Sequence, residues 1–357
     1  VIRNKLNSNS QHLLDFLRIK ECSMRVHRQV TIAGTGMYVP PDIHTNHDLE
    51  KLMDTSDEWI QQRSGIKERR YAKPGIGASD LGYEAAMRAI DMAGLKAHDI
   101  DMIIFATLSP DYYFPGSGVF LQERLGCGTI PALDIRNQCS GFLYALSCGQ
   151  NFVASGQYKN ILVVGAETHS RALNFSTAGR DVTVLFGDGA GAVVLSASKA
   201  EEHGIIDIVL HSEGAHKDAL KLQSPSGRDM PMMTAEHLAE GHHYPKMDGR
   251  YVFKHAVTRL AEVTGEILGR NHLTPSDVDL FLFHQANLRI NEAVLKSLDQ
   301  PASKTYNNID KYGNCSSASI PMLLDECVRA GRLAPGKLIL MAAFGAGFTW
   351  GSALIRW

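Results

Sequence analysis

Three residues of this chain have the makings of one reaction: Cys139, His284 and Asn314, each at the edge of an apolar run or beside small residues. Cys139 lies in LDIRNQCSGFLYAL, residues 133–146, after the strand-like IPALDI and at the start of a buried helix that closes at Gly156. A thiol at a helix N-terminus faces amide N–H groups and the positive end of the macrodipole, which lower its pKa and favour the nucleophilic thiolate. A free cysteine is otherwise most often a packed small hydrophobe, and Cys148, further along the same helix, is read that way. Ser140 is a poor rival, because a serine elbow needs glycine two residues to either side and Gln138 and Phe142 stand there.

His284, in FLFHQANLRI, ends an apolar strand, where α/β proteins collect polar function. Most of the fifteen histidines are read as structural or solvated; His284 differs because the corresponding loop of the first half, FATLSP, has no histidine. Asn314, in YGNCSSASIP, follows Gly313, and two readings stay open: a turn-former that tolerates left-handed backbone, or a third site residue. FGAGFTWG, from Phe344, supplies glycines where backbone must approach a ligand or form an oxyanion-binding turn. The adjacent His242 and His243 lack ligand spacing and are not read as a metal site.

The elements that must position these residues are written twice. SDLGYEAAMRAIDMAG, from Ser79, has a helical apolar stripe, with Ser79 as its cap and Gly94 as its stop; DIDMIIFATLSP follows as a buried strand. FKHAVTRLAEVTGEILG, from Phe253, repeats the stripe with Gly269 as its stop, and DVDLFLFHQAN follows. ILVVGAET at 161–168 parallels LILMAAFG at 338–345, and FGDGAGAVVLSA at 186 parallels FGAGFTWGSALI at 344. Nearly all-apolar strands between amphipathic helices imply sheets covered on both faces. The expected organisation is two similar α/β halves, residues 28–200 with the cysteine and 201–357 with the histidine and asparagine, packed as one body. Residues 1–27 read as a non-essential N-terminal extension.

At 357 residues and 44% hydrophobic content the chain can bury a large core, and a formal charge of −2 gives no global basic field for nucleic acid. Six scattered cysteines without a C-x-x-C pair fit a reducing compartment, and no stretch has the length of a secretory signal or membrane span. A cytoplasmic enzyme with neither nucleic acid nor membrane as partner is the expectation.

Together GTGMYVP, DTSDEWIQQRSGIKERR, QCSGFLYAL, FGDGAGAVVL, HQANLRI, YGNCSSASIP and the terminal FGAGFTWGSALIRW resemble β-ketoacyl-acyl-carrier-protein synthase III, the initiating condensing enzyme of the thiolase-like superfamily, from about Val30 to Trp357. The resemblance implies a thiolase-like pair of duplicated α/β halves in a layered α-β-α-β-α body. It implies decarboxylative Claisen condensation of an acyl-coenzyme A primer with malonyl-acyl carrier protein, initiating fatty acid synthesis. Cys139 would carry the acyl group, with His284 and Asn314 as catalytic partners and the backbone N–H groups of Cys139 and Ala346 as oxyanion donors. Trp59, Arg63, Arg180 and Asn287 match coenzyme A positions, and Lys254, Arg289 and Lys296 match carrier-protein docking positions. Phe114 matches a residue that shapes the acyl pocket across a homodimer interface. No metal or redox cofactor is implied. On the residues themselves, TSDE from Thr55 reads as a capping box, and a tryptophan beside arginines suits a nucleotide or an ordinary half-buried surface.

The sequence departs from acetyl-primed members at Gln138, Cys315 and Ala346, and in a longer stretch from Leu222. Met230, Met232 and Met233 in that stretch either line a larger acyl site or belong to a surface loop. Two other functions compete. One is a related condensing enzyme that takes a medium or long primer to a specialised product; the other is a Cys-His-Asn thioester hydrolase of papain-like chain order, disfavoured by the duplicated halves. A true thiolase would be expected to have a second cysteine near the terminal glycine turn, where Phe344 stands.

Overall fold

The computed structural model describes residues 28–198 and 203–357; the extension expected at 1–27, with Cys22, lies outside the described residues. β1 (Val30–Tyr38) is followed by a small ribbon of β2 (Ile43–Thr45) and β3 (Glu68–Arg70), then β4 (Met102–Ala106), β5 (Ala132–Ile135), β6 (Asn160–Glu167) and β7 (Gly189–Ala197). The second half holds β8 (Gly204–Ser212), a two-residue ribbon of β9 (Leu220–Lys221) and β10 (Lys246–Met247), β11 (Leu280–Phe283), β12 (Leu338–Gly345) and β13 (Thr349–Arg356).

The sheets have the same plan. The first runs β1-β7-β6-β4-β5 and the second β8-β13-β12-β11. In both, the first two pairings are antiparallel and the third is parallel. Even the fifth place has an echo, since Thr305 makes a parallel bridge to Phe281 where β5 pairs with β4.

Strand alternation sorts the core into layers. Ile104, Ile161 and Val163 of the first sheet and Ile339, Met341 and Ala343 of the second point inward, onto the helices Gly141–Ala154 and Ser319–Arg329. Ile103, Phe105, Leu162 and Val164 point outward, under the helix Ala78–Met92. Leu338, Leu340 and Ala342 point the other way, under Gly249–Arg270 and Leu288–Ser297. The result is an α-β-α-β-α stack. Sheets covered on both faces need apolar residues at every strand position, which is why β4, β6, β11 and β12 read as unbroken apolar runs.

Two expected helix ends move. Gly77, not Ser79, precedes the first turn of Ala78–Met92: Asp80 accepts from Gly77 N–H, while the Ser79 hydroxyl is drawn to Asp111. Gly269 does not stop its helix, which runs to Arg270; His272, in the left-handed region at φ 57°, makes the exit instead.

Candidate active site

The two central helices start at the same end of the stack, and each is entered through a tight one-turn helix, Gln138–Ser140 and Ser316–Ala318. Gln138 and Ser316 both hold positive φ, 46° and 45°, which costs a non-glycine residue about 1–3 kcal/mol. The two turns meet there, with the Ser316 hydroxyl donating to Cys139 Sγ at 3.4 Å.

A buried carboxylate fastens the second of these turns, Ser316–Ala318, to the loop that follows β4. Glu167, at the end of β6, accepts from the hydroxyls of Thr107, Ser109 and Ser317 and from the amides of Leu108, Ser109 and Ser317. Gly165 lets this contact form, since a Cβ there would lie 2.4 Å from the Ser317 carbonyl oxygen. A carboxylate so fully hydrogen-bonded tolerates burial.

His284 directly follows β11, its N–H donating to the Ala342 carbonyl at 2.8 Å. Its Nδ1 lies 2.5 Å from Ser319 Oγ, which accepts from Gln285 N–H. In the tautomer where the Ser319 hydroxyl donates to Nδ1, the ring N–H lies on Nε2. That Nε2 is buried and unpartnered. Burial, with a smaller push from nearby His169, drives the His284 pKa down to about 3, so the ring is a neutral donor at physiological pH.

Asn314 is oriented in the same manner. Its N–H donates to Leu185 O, its carbonyl accepts from Gly187 N–H, and its side-chain Oδ1 accepts from Ser316 N–H at 2.8 Å. The amide Nδ2 is left to face the site. The residue is not itself left-handed: it follows Gly313, which takes φ 65°, pairs with Phe186 in a parallel bridge, and lines the cavity.

Cys139, His284 and Asn314 line one cavity of about 90 Å³ together with Phe186, Phe344 and Gly345. A Cβ on Gly345 would stand 3.0 Å from the Cys139 amide nitrogen, so the terminal glycine turn approaches the nucleophile as its composition implied. The pKa expectation for Cys139 is overturned. Burial pushes the thiol up to about 12, with the Ser316 hydrogen bond opposing. Cys315, beside Asn314, is also buried with its pKa raised, and packs near Gly189 and Met322.

The cavity opens into a cleft of about 790 Å³, and Leu185, Met247, Gly249, Phe253 and Asn287 line both. Trp59, Arg63 and Arg289 line the cleft, as does Arg250, which the sequence reading missed. The guanidinium carbons of Arg63 and Arg180 lie 4.5 and 4.7 Å from the Trp59 ring centroid. Asn287 donates to the Arg63 carbonyl and caps the helix Leu288–Ser297. The expected capping box at Thr55 is displaced by one residue: Ser56 caps Asp57–Ser64, and Trp59 then occupies the third helical position, where a glutamate would be needed to complete the box.

Ala346 follows directly on β12 in the turn beside Cys139, and Thr349 donates to its carbonyl. Lys254 and Lys296 are exposed, on Gly249–Arg270 and Leu288–Ser297. Phe114 is not brought to Cys139 within one chain; it is 81% exposed, beside exposed Tyr112 and Tyr113. The methionine cluster does not line the acyl cavity. Met230 is fully exposed and Met232 and Met233 lie in the same surface loop, held by bonds such as Ser226 N–H to Met232 O rather than by packing on the core. Glu167, Ser316 and Ser319 also escaped the sequence reading; the only signal was polar residues directly after an apolar strand or before a buried helix.

The 3-oxoacyl-[acyl-carrier-protein] synthase III family model matches residues 133–214, and the model of the C-terminal part of that family matches residues 268–357. A β-ketoacyl-[acyl-carrier-protein] synthase III of Xylella fastidiosa is 46% identical over 332 residues, covering 91% of this chain and 98% of the relative. The crystal structure of 3-oxoacyl-[acyl-carrier-protein] synthase III from Aquifex aeolicus matches with a TM-score of 0.85 at 41% identity, over 92% of this chain and 100% of that one. The priming β-ketosynthase of a polyketide biosynthetic pathway matches with a TM-score of 0.85 at 30% identity, over 94% and 98%.

Proposed function

The chain belongs to the 3-oxoacyl-acyl-carrier-protein synthase III family of condensing acyltransferases, with their thiolase-like fold, and we propose that it condenses an acyl-coenzyme A primer with malonyl-acyl carrier protein through an acyl-Cys139 intermediate. The observation that carries this reading is the convergence of Cys139, His284 and Asn314 on one blind cavity at the end of a cationic cleft.

Cys139 Sγ attacks the primer thioester and gives up its proton; the carbon–sulfur bond to coenzyme A breaks, and coenzyme A leaves as the thiol. The adenine and phosphates lie against Trp59, Arg63 and Arg180, and the pantetheine arm runs past Asn287 and Phe253. Malonyl-acyl carrier protein then enters by the same channel, its acidic carrier guided by Arg289, Lys254 and Lys296. As the carboxylate carbon–carbon bond breaks and carbon dioxide leaves, the electron pair becomes an enolate. His284 Nε2–H and Asn314 Nδ2–H donate to its oxygen, and neutral donors held in a dry site act where the charge develops. The enolate carbon attacks the acyl-Cys139 carbonyl, whose oxyanion rests on the amides of Cys139 and Ala346. Collapse expels the Cys139 thiolate, which takes up from solvent the one proton that the decarboxylative condensation consumes. Residues of this chain supply every group, and no metal or redox cofactor is called on.

Two halves, 28–200 and 201–357, contribute the nucleophile and its partners respectively, and the working unit is a homodimer. Support for the dimer comes from β5, an exposed sheet edge, beside the exposed aromatic run Tyr112–Phe114. Phe114 would then close the acyl site of the neighbouring subunit. The five described cysteines are free, which suits a cytoplasmic enzyme, and among the described residues no helix is long and apolar enough to cross a membrane. Met230, Met232 and Met233 lie on a surface loop away from the acyl cavity, while Met247 of the same long stretch lines it.

Intact-protein mass after incubation with acyl-coenzyme A thioesters from acetyl to dodecanoyl tests the reading. A single acyl adduct is expected on the native chain and none on Cys139→Ser; equal labelling of both, or none of either, would defeat the proposal.

A further inference from the structure

Against Phe186, which lines the Cys139 cavity, lie two buried polar groups that no described residue satisfies. His169 and Tyr71 are each 7% exposed, and neither His169 Nε2 nor the Tyr71 hydroxyl has a hydrogen-bond partner. The His169 ring packs on Phe186 with centroids 4.7 Å apart, and Tyr71 belongs with Phe186 and Leu173 to one apolar cluster. Phe186 lines the cavity and forms a bridge with Asn314.

One carboxylate holds the two together. Buried Asp188 accepts from the amide of Ala72, next to Tyr71, and from the amide and hydroxyl of Ser170, next to His169. Thr168, on the other side of His169, is fixed by its N–H to Ser109 Oγ. His169 is also close enough to His284 to bear on its charge. A native interior leaves few such groups unpaired, because each costs about 1–3 kcal/mol. Here two occur on one cluster, rigidly backed, behind the wall of the cavity where the acyl group must lie. Phe186 lines the Cys139 cavity and not the outer cleft, so the two groups it covers back the inner cavity rather than the pantetheine channel.

We infer that His169 Nε2 and the Tyr71 hydroxyl form a polar end to the primer site, and that the preferred primer carries an oxygen function (hydroxyl, keto or carboxyl) on its acyl chain. This rests on the acyl-Cys139 reading above. A site whose buried polar groups are built to pair with a substrate oxygen discriminates against the analogue without it, whose binding leaves them unpaired.

The test is the rate of Cys139 acylation, followed by intact mass, with butyryl-, 3-hydroxybutyryl-, acetoacetyl- and succinyl-coenzyme A. At least one oxygen-bearing thioester is expected to acylate faster than butyryl by on the order of tenfold or more; which one it is distinguishes hydroxyl, keto and carboxyl. His169→Leu and Tyr71→Phe should bring that ratio down toward one, and His169→Gln, which restores a donor, should recover much of it. If butyryl acylates as fast as every oxygen-bearing thioester and the ratio does not move in His169→Leu, the inference is overturned while the acyl-Cys139 reading stands. If no thioester labels Cys139, both fall. Should His169→Leu fail to fold, Tyr71→Phe and the native preference decide the matter in the same way.

Discussion

At the scale of the residue, the site depends on two side chains kept neutral by burial. Cys139 ionises only with difficulty because its surroundings cannot solvate a thiolate, whatever the amides at the head of its helix contribute. The sign of the pH effect follows. With the thiol pKa pushed up to about 12, every accessible pH lies below it, so the thiolate fraction grows tenfold with each unit of pH and does not level off near the ordinary cysteine value. Alkylation of Cys139 by iodoacetamide in the ligand-free enzyme should therefore rise about tenfold per unit from about pH 6.5 to about pH 9.5. A plateau below about pH 8, read from loss of activity or from intact mass, would mean that the helix terminus prevails after all. The sequence singled out Cys139 and His284 by their places at a helix start and a strand end, and Asn314 only through the family resemblance; the fold brings the three to one cavity. The sequence could not show their ionisation, which depends on burial by residues from both halves: Ser316 and Phe344 enclose Cys139 from far along the chain.

At the scale of the element, two tight turns and one glycine strand end hold the reacting atoms in place. β12 reaches Cys139 only because Gly345 lacks a side chain; an alanine Cβ there would press on the Cys139 amide at 3.0 Å and on its Cβ at 3.1 Å. Contacts that close require a shift of a few tenths of an ångström, and small misplacements in an oxyanion site are costly in rate. Gly345→Ala should lower the rate of Cys139 acylation by about 10²-fold, since one oxyanion donor is worth about that much, while the melting temperature moves by only a few degrees. A variant that keeps its acylation rate would remove the 345–346 turn from the oxyanion site. Strands and helices were legible here because each sheet is buried on both faces and each helix on one, so apolar period and length announced them. The helix ends were not. Ser79 lost the cap to Gly77 because distant Asp111 draws its hydroxyl, and the helix Gly249–Arg270 runs one residue past Gly269 and exits through His272. Glu167 was equally hidden: its six hydrogen-bond donors come from two separate segments, 107–109 and Ser317, that only the fold brings together.

At the scale of the whole molecule, duplication puts the chemistry where it is. Two sheets of one plan pack against a shared pair of helices, and the loops at corresponding strand ends therefore meet: the nucleophile turn of the first half faces the asparagine turn of the second. Internal similarity made that much visible in the sequence. What the single chain leaves unfinished is its far edge, where β5 has no outer neighbour among the described residues, Leu133 on it is 38% exposed, and Tyr112, Tyr113 and Phe114 stand out beside it. An unpaired strand flanked by exposed aromatics calls for a strand of the same kind, and a two-fold axis at β5 would extend the sheet through both subunits. Aromatic anchors at the centre of such an interface commonly carry most of its energy. Leu133→Lys together with Tyr113→Lys should weaken self-association by at least about tenfold, since such anchors cost upwards of about 1 kcal/mol each when lost. The change would be seen in sedimentation as a shift from twice the chain mass toward once. On the proposed homodimer acylation should fall with it, since Phe114 would no longer close the neighbour's acyl site. A native chain that sediments as a monomer at full activity would show instead that one subunit completes its own site, and the exposed aromatic edge would need another occupant.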